Sequence, residues 1–135
     1  YHFEIGKGEL LREGSDVTIV ATGICVSSAL EAAEKLAADG ISAEVINIHT
    51  IKPLDTELIV KSAKKTGKVV TAEEHTIIGG LGGAVCEALS EKAPTPVLRI
   101  GINDVFGESG TAAQLVAKYG LDGEGIYTKV KEFVK

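Results

Sequence analysis

Three titratable side chains stand in a row at Glu73, Glu74 and His75, just ahead of the glycines Gly79, Gly80, Gly82 and Gly83. Carboxylates beside an imidazole can hold a metal ion, but a metal needs three or four converging ligands. In an extended segment Glu73 and His75 share one face and Glu74 points away, so the run falls short of a metal site. The glycines suggest a phosphate cradle. The dinucleotide fingerprint is G-x-G-x-x-G with an acidic residue about 20 positions on. Gly80 and Gly82 supply the first two glycines, but Val85 stands at the third and the apolar Ile100 at the acidic position. No Gly-Lys-Ser/Thr follows, and two carboxylates just upstream would repel a phosphate. The expected role is a polar patch at a domain or subunit interface, formed by Glu73, Glu74, His75, Gly79, Gly80 and Gly82. The glycines of the cluster are expected to supply positive φ and a close helix–strand approach.

The other reactive side chains are less pointed. His49 can titrate near neutrality, but no acid stands beside it in sequence and it reads as a loop residue. Ser109 lies in Gly107-Glu108-Ser109-Gly110-Thr111, which is not the G-x-S-x-G nucleophile elbow; helix capping suits it better. Cys86 falls in an apolar helical run and reads as a small core residue. Cys25 and Cys86 lack C-x-x-C partners and are expected as two free thiols in a reducing, cytoplasmic compartment, with a disulfide between them left open.

Alternating elements position these residues. Leu10 and Leu11 predict a short strand closed by Gly14. Val17-Thr18-Ile19-Val20-Ala21-Thr22 is a β-branched, almost wholly apolar run, as in a strand covered on both faces. Val26, Ala29, Leu30, Ala33, Leu36 and Ala37 have helical spacing, with Gly40 placed as a C-cap. Ala43–Ile48 predicts a strand. Pro53 blocks a helix through the following loop, and Asp55 caps a helix over Thr56–Lys65 with Leu54 and Ile59 at staple spacing. Gly67 closes it. Lys68 opens a strand whose apolar run spans Val69 to Ala72, and a helix follows from Gly83 to Glu91. Val97–Ile102 is a strand, Asn103–Gly110 a polar loop, and Thr111–Tyr119 a helix ended by Gly120. The last helix starts at Asp122, with the staple pair Leu121 and Ile126 and a buried face of Ile126, Val130, Phe133 and Val134.

This order predicts a three-layer α/β/α domain with a mixed five-stranded sheet. The sheet is mostly parallel. Its first strand is antiparallel, because its connection to the second is too short for a parallel crossover.

Bulk properties narrow the rest. A chain of 135 residues, 44% hydrophobic and 24% charged, fits one globular domain with a real core. The net charge of −5 comes without a basic stripe or aromatic platform, which argues against nucleic acid. No apolar run reaches the roughly 18 residues of a membrane span, and no signal-peptide pattern opens at Tyr1. The sequence contains no Met. We therefore expect Tyr1 to be an internal or proteolytic boundary, residues 1–8 to be the end of an interdomain linker, and the chain to be a piece of something longer.

Four segments occur in an order that resembles a known family. They are Asp16-Val17-Thr18-Ile19-Val20-Ala21-Thr22-Gly23, Thr50-Ile51-Lys52-Pro53-Leu54-Asp55, the turn from Glu73-Glu74-His75 to Gly79-Gly80-Leu81-Gly82, and Phe106-Gly107-Glu108-Ser109-Gly110. Nearly the whole chain is similar to the C-terminal domain of thiamine-diphosphate enzymes of the transketolase superfamily. Deoxyxylulose-phosphate synthases and 2-oxoacid dehydrogenase β subunits share the second and third segments. The Phe106 loop and Lys118-Tyr119-Gly120-Leu121 resemble transketolase, and Ile102-Asn103-Asp104 departs from the synthases' Ile-Pro-Asp. The resemblance implies the same mixed five-stranded sheet. For the parent enzyme it implies two-carbon ketol transfer between sugar phosphates with thiamine diphosphate and Mg²⁺.

The diphosphate–metal motif, Gly-Asp-Gly followed by Asn, is absent from this sequence. The resemblance therefore implies no catalytic, cofactor-binding or metal residue here. It implies an architectural domain, inactive alone, that packs on the cofactor-binding domains of its own enzyme and extends a homodimer. Two other readings stand beside this one: a module docking another subunit or carrier domain, and a stand-alone nucleotide-binding domain.

Overall fold

The computed structural model describes residues 7–23, 25–49, 53–76, 80–102 and 121–135. Their elements are β1 (Glu9–Arg12), β2 (Val17–Ala21), α1 (Cys25–Ala38), β3 (Ala43–Asn47), α2 (Thr56–Thr66), β4 (Val69–Thr76), α3 (Leu81–Lys92), β5 (Val97–Ile102) and α4 (Gly123–Val134). The expected Asn103–Gly110 loop with Ser109 and the expected Thr111–Tyr119 helix lie outside the described residues.

The five strands form one sheet in the order β1-β3-β2-β4-β5. β1 runs antiparallel to β3, and the pairs β2–β3, β2–β4 and β4–β5 are parallel. All five residues of β2 are buried, as expected of the central strand. Alternation along the strands sends side chains to two cores. Val17, Ile19, Val45, Val70 and Ala72 meet Ala29, Leu36, Ile126 and Val130 of α1 and α4 on one face. Val20, Ile46 and Val69 meet Ile59 of α2 and Leu81, Val85 and Leu89 of α3 on the other.

The helix ends follow the local chemistry. Asp55 accepts from the Leu58 amide at 3.3 Å and Asp122 from Gly125 at 2.8 Å. Gly40 and Gly67 adopt φ of 81° and 79°, closing α1 and α2 in the left-handed conformation that glycine tolerates best. Both members of the second staple pair, Leu121 and Ile126, are fully buried in one cluster.

Three local expectations change. β4 continues past Ala72 to Thr76, and its pairing with β5 shifts between those residues. α3 begins at Leu81 instead of Gly83, because its first amides have an acceptor reaching in from β4. Cys86 is half-buried: Val85 and Leu89 hold the buried stripe of α3, and Cys86 falls beside it. Cys25 is the core thiol, on the opposite face of the sheet. Neither cysteine is in a disulfide, so the bond left open by the sequence does not form.

Candidate interface turn at the sheet switch point

β2 connects through α1 to β3 on one side, and β4 connects through α3 to β5 on the other. The crevice between the carboxyl ends of β2 and β4 is thus the switch point, where open α/β sheets place their ligands. Gly23, with φ of 57°, turns the chain out of β2, and the Thr22 amide donates to the Ala72 carbonyl at 3.3 Å. The next residue on β4 is Glu73.

Glu73 is 1% exposed. Its Oε1 accepts from the Leu81 amide at 3.0 Å and its Oε2 from the Gly82 amide at 2.8 Å. The residue before α3, Gly80, has no side chain to cap with, so a carboxylate from the neighbouring strand does the capping. Its negative charge suits the positive end of the helix dipole. Phosphates bind helix N-termini through these same amides, and here the chain's own carboxylate takes them.

Space, more than backbone conformation, makes the glycines necessary. Gly80 has φ of −97°, outside the left-handed region. A Cβ on it would lie 2.1 Å from Glu73 Oε1. A Cβ on Gly82 would lie 2.7 Å from Arg99 Cδ and 3.0 Å from Thr71 Oγ1. Gly83 has nothing within 4 Å and needs neither property. The positive φ expected of Gly80, Gly82 and Gly83 is therefore not used; among described residues it occurs at Gly23, Gly40 and Gly67.

Of the six residues expected at an interface, Glu73 and Gly82 are buried within the domain and Gly80 is half-buried. Glu74 and His75 continue the backbone of β4. Their side chains and Gly79 lie outside the described residues.

Two polar clusters formed by distant residues were not visible in the sequence. The first lies at the same end of the sheet. Glu9 Oε1 accepts from His49 Nε2 at 3.0 Å and from Asn47 Nδ2 at 3.2 Å. A carboxylate only accepts, so Nε2 carries the proton in this pair. Beside it, Asp55 Oδ2 accepts from the Gly8 amide at 2.8 Å. Glu9 and His49 are 40 positions apart, which is why no acid stood near His49 in sequence.

The second cluster lies at the opposite end. Glu44, 3% exposed, accepts from Ser62 Oγ at 2.5 Å, Lys65 Nζ at 2.7 Å and the Gly14 amide at 3.1 Å. Ser62 spends its one proton on Glu44, so Thr18 is the donor in the 2.7 Å Thr18–Ser62 contact. Burial pushes the Glu44 pKa up. The hydrogen bonds from Lys65, Ser62 and Gly14 outweigh it, holding the carboxyl below its ordinary value.

Among the described residues no group of three or more His, Cys, Asp or Glu could hold a metal ion. With the α3 amides also engaged, the described residues do not fit a diphosphate–metal group.

The architecture defines a class, an open α/β domain in which a strand carboxylate, Glu73, takes the first amides of α3. The chain belongs to the transketolase C-terminal domain family, whose model, "Transketolase, C-terminal domain", matches residues 6–126. It is 54% identical over 130 residues to a 6-deoxy-6-sulfo-D-fructose transketolase subunit of Clostridium sp. (strain MSTE9), covering 96% of this chain and 40% of that protein. It is 48% identical over 131 residues to a 1-deoxy-D-xylulose-5-phosphate synthase of Syntrophotalea carbinolica, covering 96% of this chain and 21% of that one. A solved structure described as a split gene transketolase, inactive beta4 tetramer, matches with a TM-score of 0.91 and 55% identity, over 98% of this chain and 43% of that chain. The chain thus spans less than half the length of these relatives. No described helix is long and apolar enough to cross a membrane.

Proposed function

We propose that the chain is the C-terminal platform domain of a thiamine-diphosphate- and Mg²⁺-dependent transketolase, a cytoplasmic enzyme moving two-carbon ketol units between sugar phosphates, as in the pentose phosphate pathway. It is inert alone. Its partners are the cofactor-binding domains or subunit of the same enzyme, assembled as a homodimer. Glu74, His75 and Gly79, together with Glu73, Gly80 and Gly82, form a contact region for those partners.

Glu73 carries this reading. The amides that would bind a phosphate already hold a carboxylate of the domain itself. What remains is a strand end tied to a helix start at the carboxyl end of the sheet, suited to packing against another domain.

Calorimetry of the isolated domain with thiamine diphosphate and Mg²⁺ is expected to show no binding, and ketol transfer is expected to return when the cofactor-binding domains are added. Stoichiometric cofactor binding by the domain alone would overturn the reading. The synthase relative supports a second reading, the C-terminal domain of a deoxyxylulose-phosphate synthase. Product analysis of the reconstituted enzyme separates the two.

A further inference from the structure

The first strand contributes little to its own domain. None of its four residues is fully buried. Leu10 and Leu11 are the exposed large hydrophobics among the described residues, at 44% and 40%. β1 is also an edge strand, with β3 on one side and, among the described residues, no strand on the other. Edges are blunted by short length, charge and bulges; β1 has only four residues, with Glu9 and Arg12 at its ends, yet it leaves the two leucines between them exposed. Here Leu10 pairs with Ile46 and Arg12 with Val45, so Leu11 is the extra residue of a bulge, set outside the ladder.

This strand is nevertheless held in place by contacts that the core does not require. The Gly8 amide donates to Asp55, which also caps α2. His49 and Asn47 donate to Glu9. A Cβ on Gly8 would lie 2.7 Å from Ile48 Cδ1, so the entering chain lies tight against the end of β3. Because β1 is antiparallel, Glu9 sits opposite Asn47, at the carboxyl end of β3. Gly8 thus lies at the end of the sheet that also carries Glu73 and the start of α3.

We propose that β1 is a docking strand whose Leu10 and Leu11 are covered by the polypeptide preceding Gly8 in the same parent chain. This rests on the reading that the domain is part of a longer transketolase chain. The occupant follows from where that polypeptide enters and from the relatives, of whose length this chain spans less than half. Asp55, His49 and Asn47 fix the entry, and the two leucines supply the apolar contact.

Hydroxyl-radical footprinting of the wild-type parent chain, read by mass spectrometry at several protein concentrations, tests this. Labelling of Leu10 and Leu11 is expected to be lost to the level of the buried Leu36 at every concentration. Labelling at the rate of an exposed leucine would overturn the proposal. Protection that disappears on dilution would overturn it too, assigning the surface to a second copy. As a second measure, Leu10→Lys with Leu11→Lys in the parent chain is expected to open the residues before Gly8 to protease; unchanged cleavage counts against the proposal. The footprint reads coverage and not activity. A parent enzyme without ketol transfer would therefore sink the function proposed above and leave this result standing.

Discussion

The carboxylate of Glu73 occupies the space beside Gly80, so that a methyl group on Gly80 would fall 2.1 Å from Oε1. Glu73 cannot yield easily, because both its oxygens are tied to the first amides of α3. This contact ties the end of β4 to the start of α3.

Gly80→Ala should therefore destabilise the domain by about 2 kcal/mol, the usual scale for forcing an extra methyl into a packed site. Gly83→Ala, where a Cβ meets nothing within 4 Å, should stabilise it by about 0.5 kcal/mol through the helix preference for alanine. Urea denaturation of the two variants gives both numbers. Equal effects would show that Glu73 does not fill the turn.

Removing the acceptor should cost more. Glu73→Ala leaves the Leu81 and Gly82 amides buried without a partner, a loss of about 3 kcal/mol. A change no larger than that of a surface alanine substitution would mean that solvent reaches those amides.

Thr71 offers the opposite case. Its buried hydroxyl has no hydrogen-bond partner among the described residues, and Thr71→Val replaces it with a methyl of similar size. Stability should rise by about 1 kcal/mol, the lower range for relieving an unsatisfied buried group. A loss of stability on thermal unfolding would show that the hydroxyl is bonded in solution.

Glu44 sets a pH dependence. Its pKa is lowered in the folded state, so its contribution is fully present above the ordinary value of 4.5 and is lost as pH falls through the lower folded value. Asp39, lowered by hydrogen bonds from Tyr127 and Lys131, acts with the same sign. Glu44→Gln should flatten the fall in stability below pH 4.5 relative to wild type, leaving the Asp39 part. Parallel pH profiles for the two proteins would contradict the assignment.

The two thiols should react differently. Cys86 is half-buried and should be modified by an aromatic disulfide reagent in the native protein, while the fully buried Cys25 should wait for denaturant. Fast native modification of both would place Cys25 nearer the surface.

The fold was legible where its causes are local. Asp55, Asp122, Gly40 and Gly67 mark helix ends through contacts a few residues away. The unbroken apolar run of β2 reports burial on both faces, and the short β1–β2 connection fixes the antiparallel edge. The site was less legible because its causes are distant. Glu73 reads in sequence as part of an interface patch, and only the packing of α3 shows it buried within the domain. His49 finds Glu9, and Glu44 finds Gly14, only after the sheet has formed. Cys86 was misplaced because α3 is apolar on more than its buried stripe, so composition alone did not fix its facing. The family resemblance, resting on short motifs in order, was borne out by the family match over residues 6–126.

The packing of α4 onto α1 bears on how the protein emerges during synthesis. Ile126 and Val130 complete a core begun by Val17 and Ile19, so β2, made early, waits for α4, made long after it. A nascent chain stalled before residue 121 would leave open the part of this cluster that Leu121, Ile126 and Val130 cover, a surface for chaperones or for aggregation until those residues clear the ribosome.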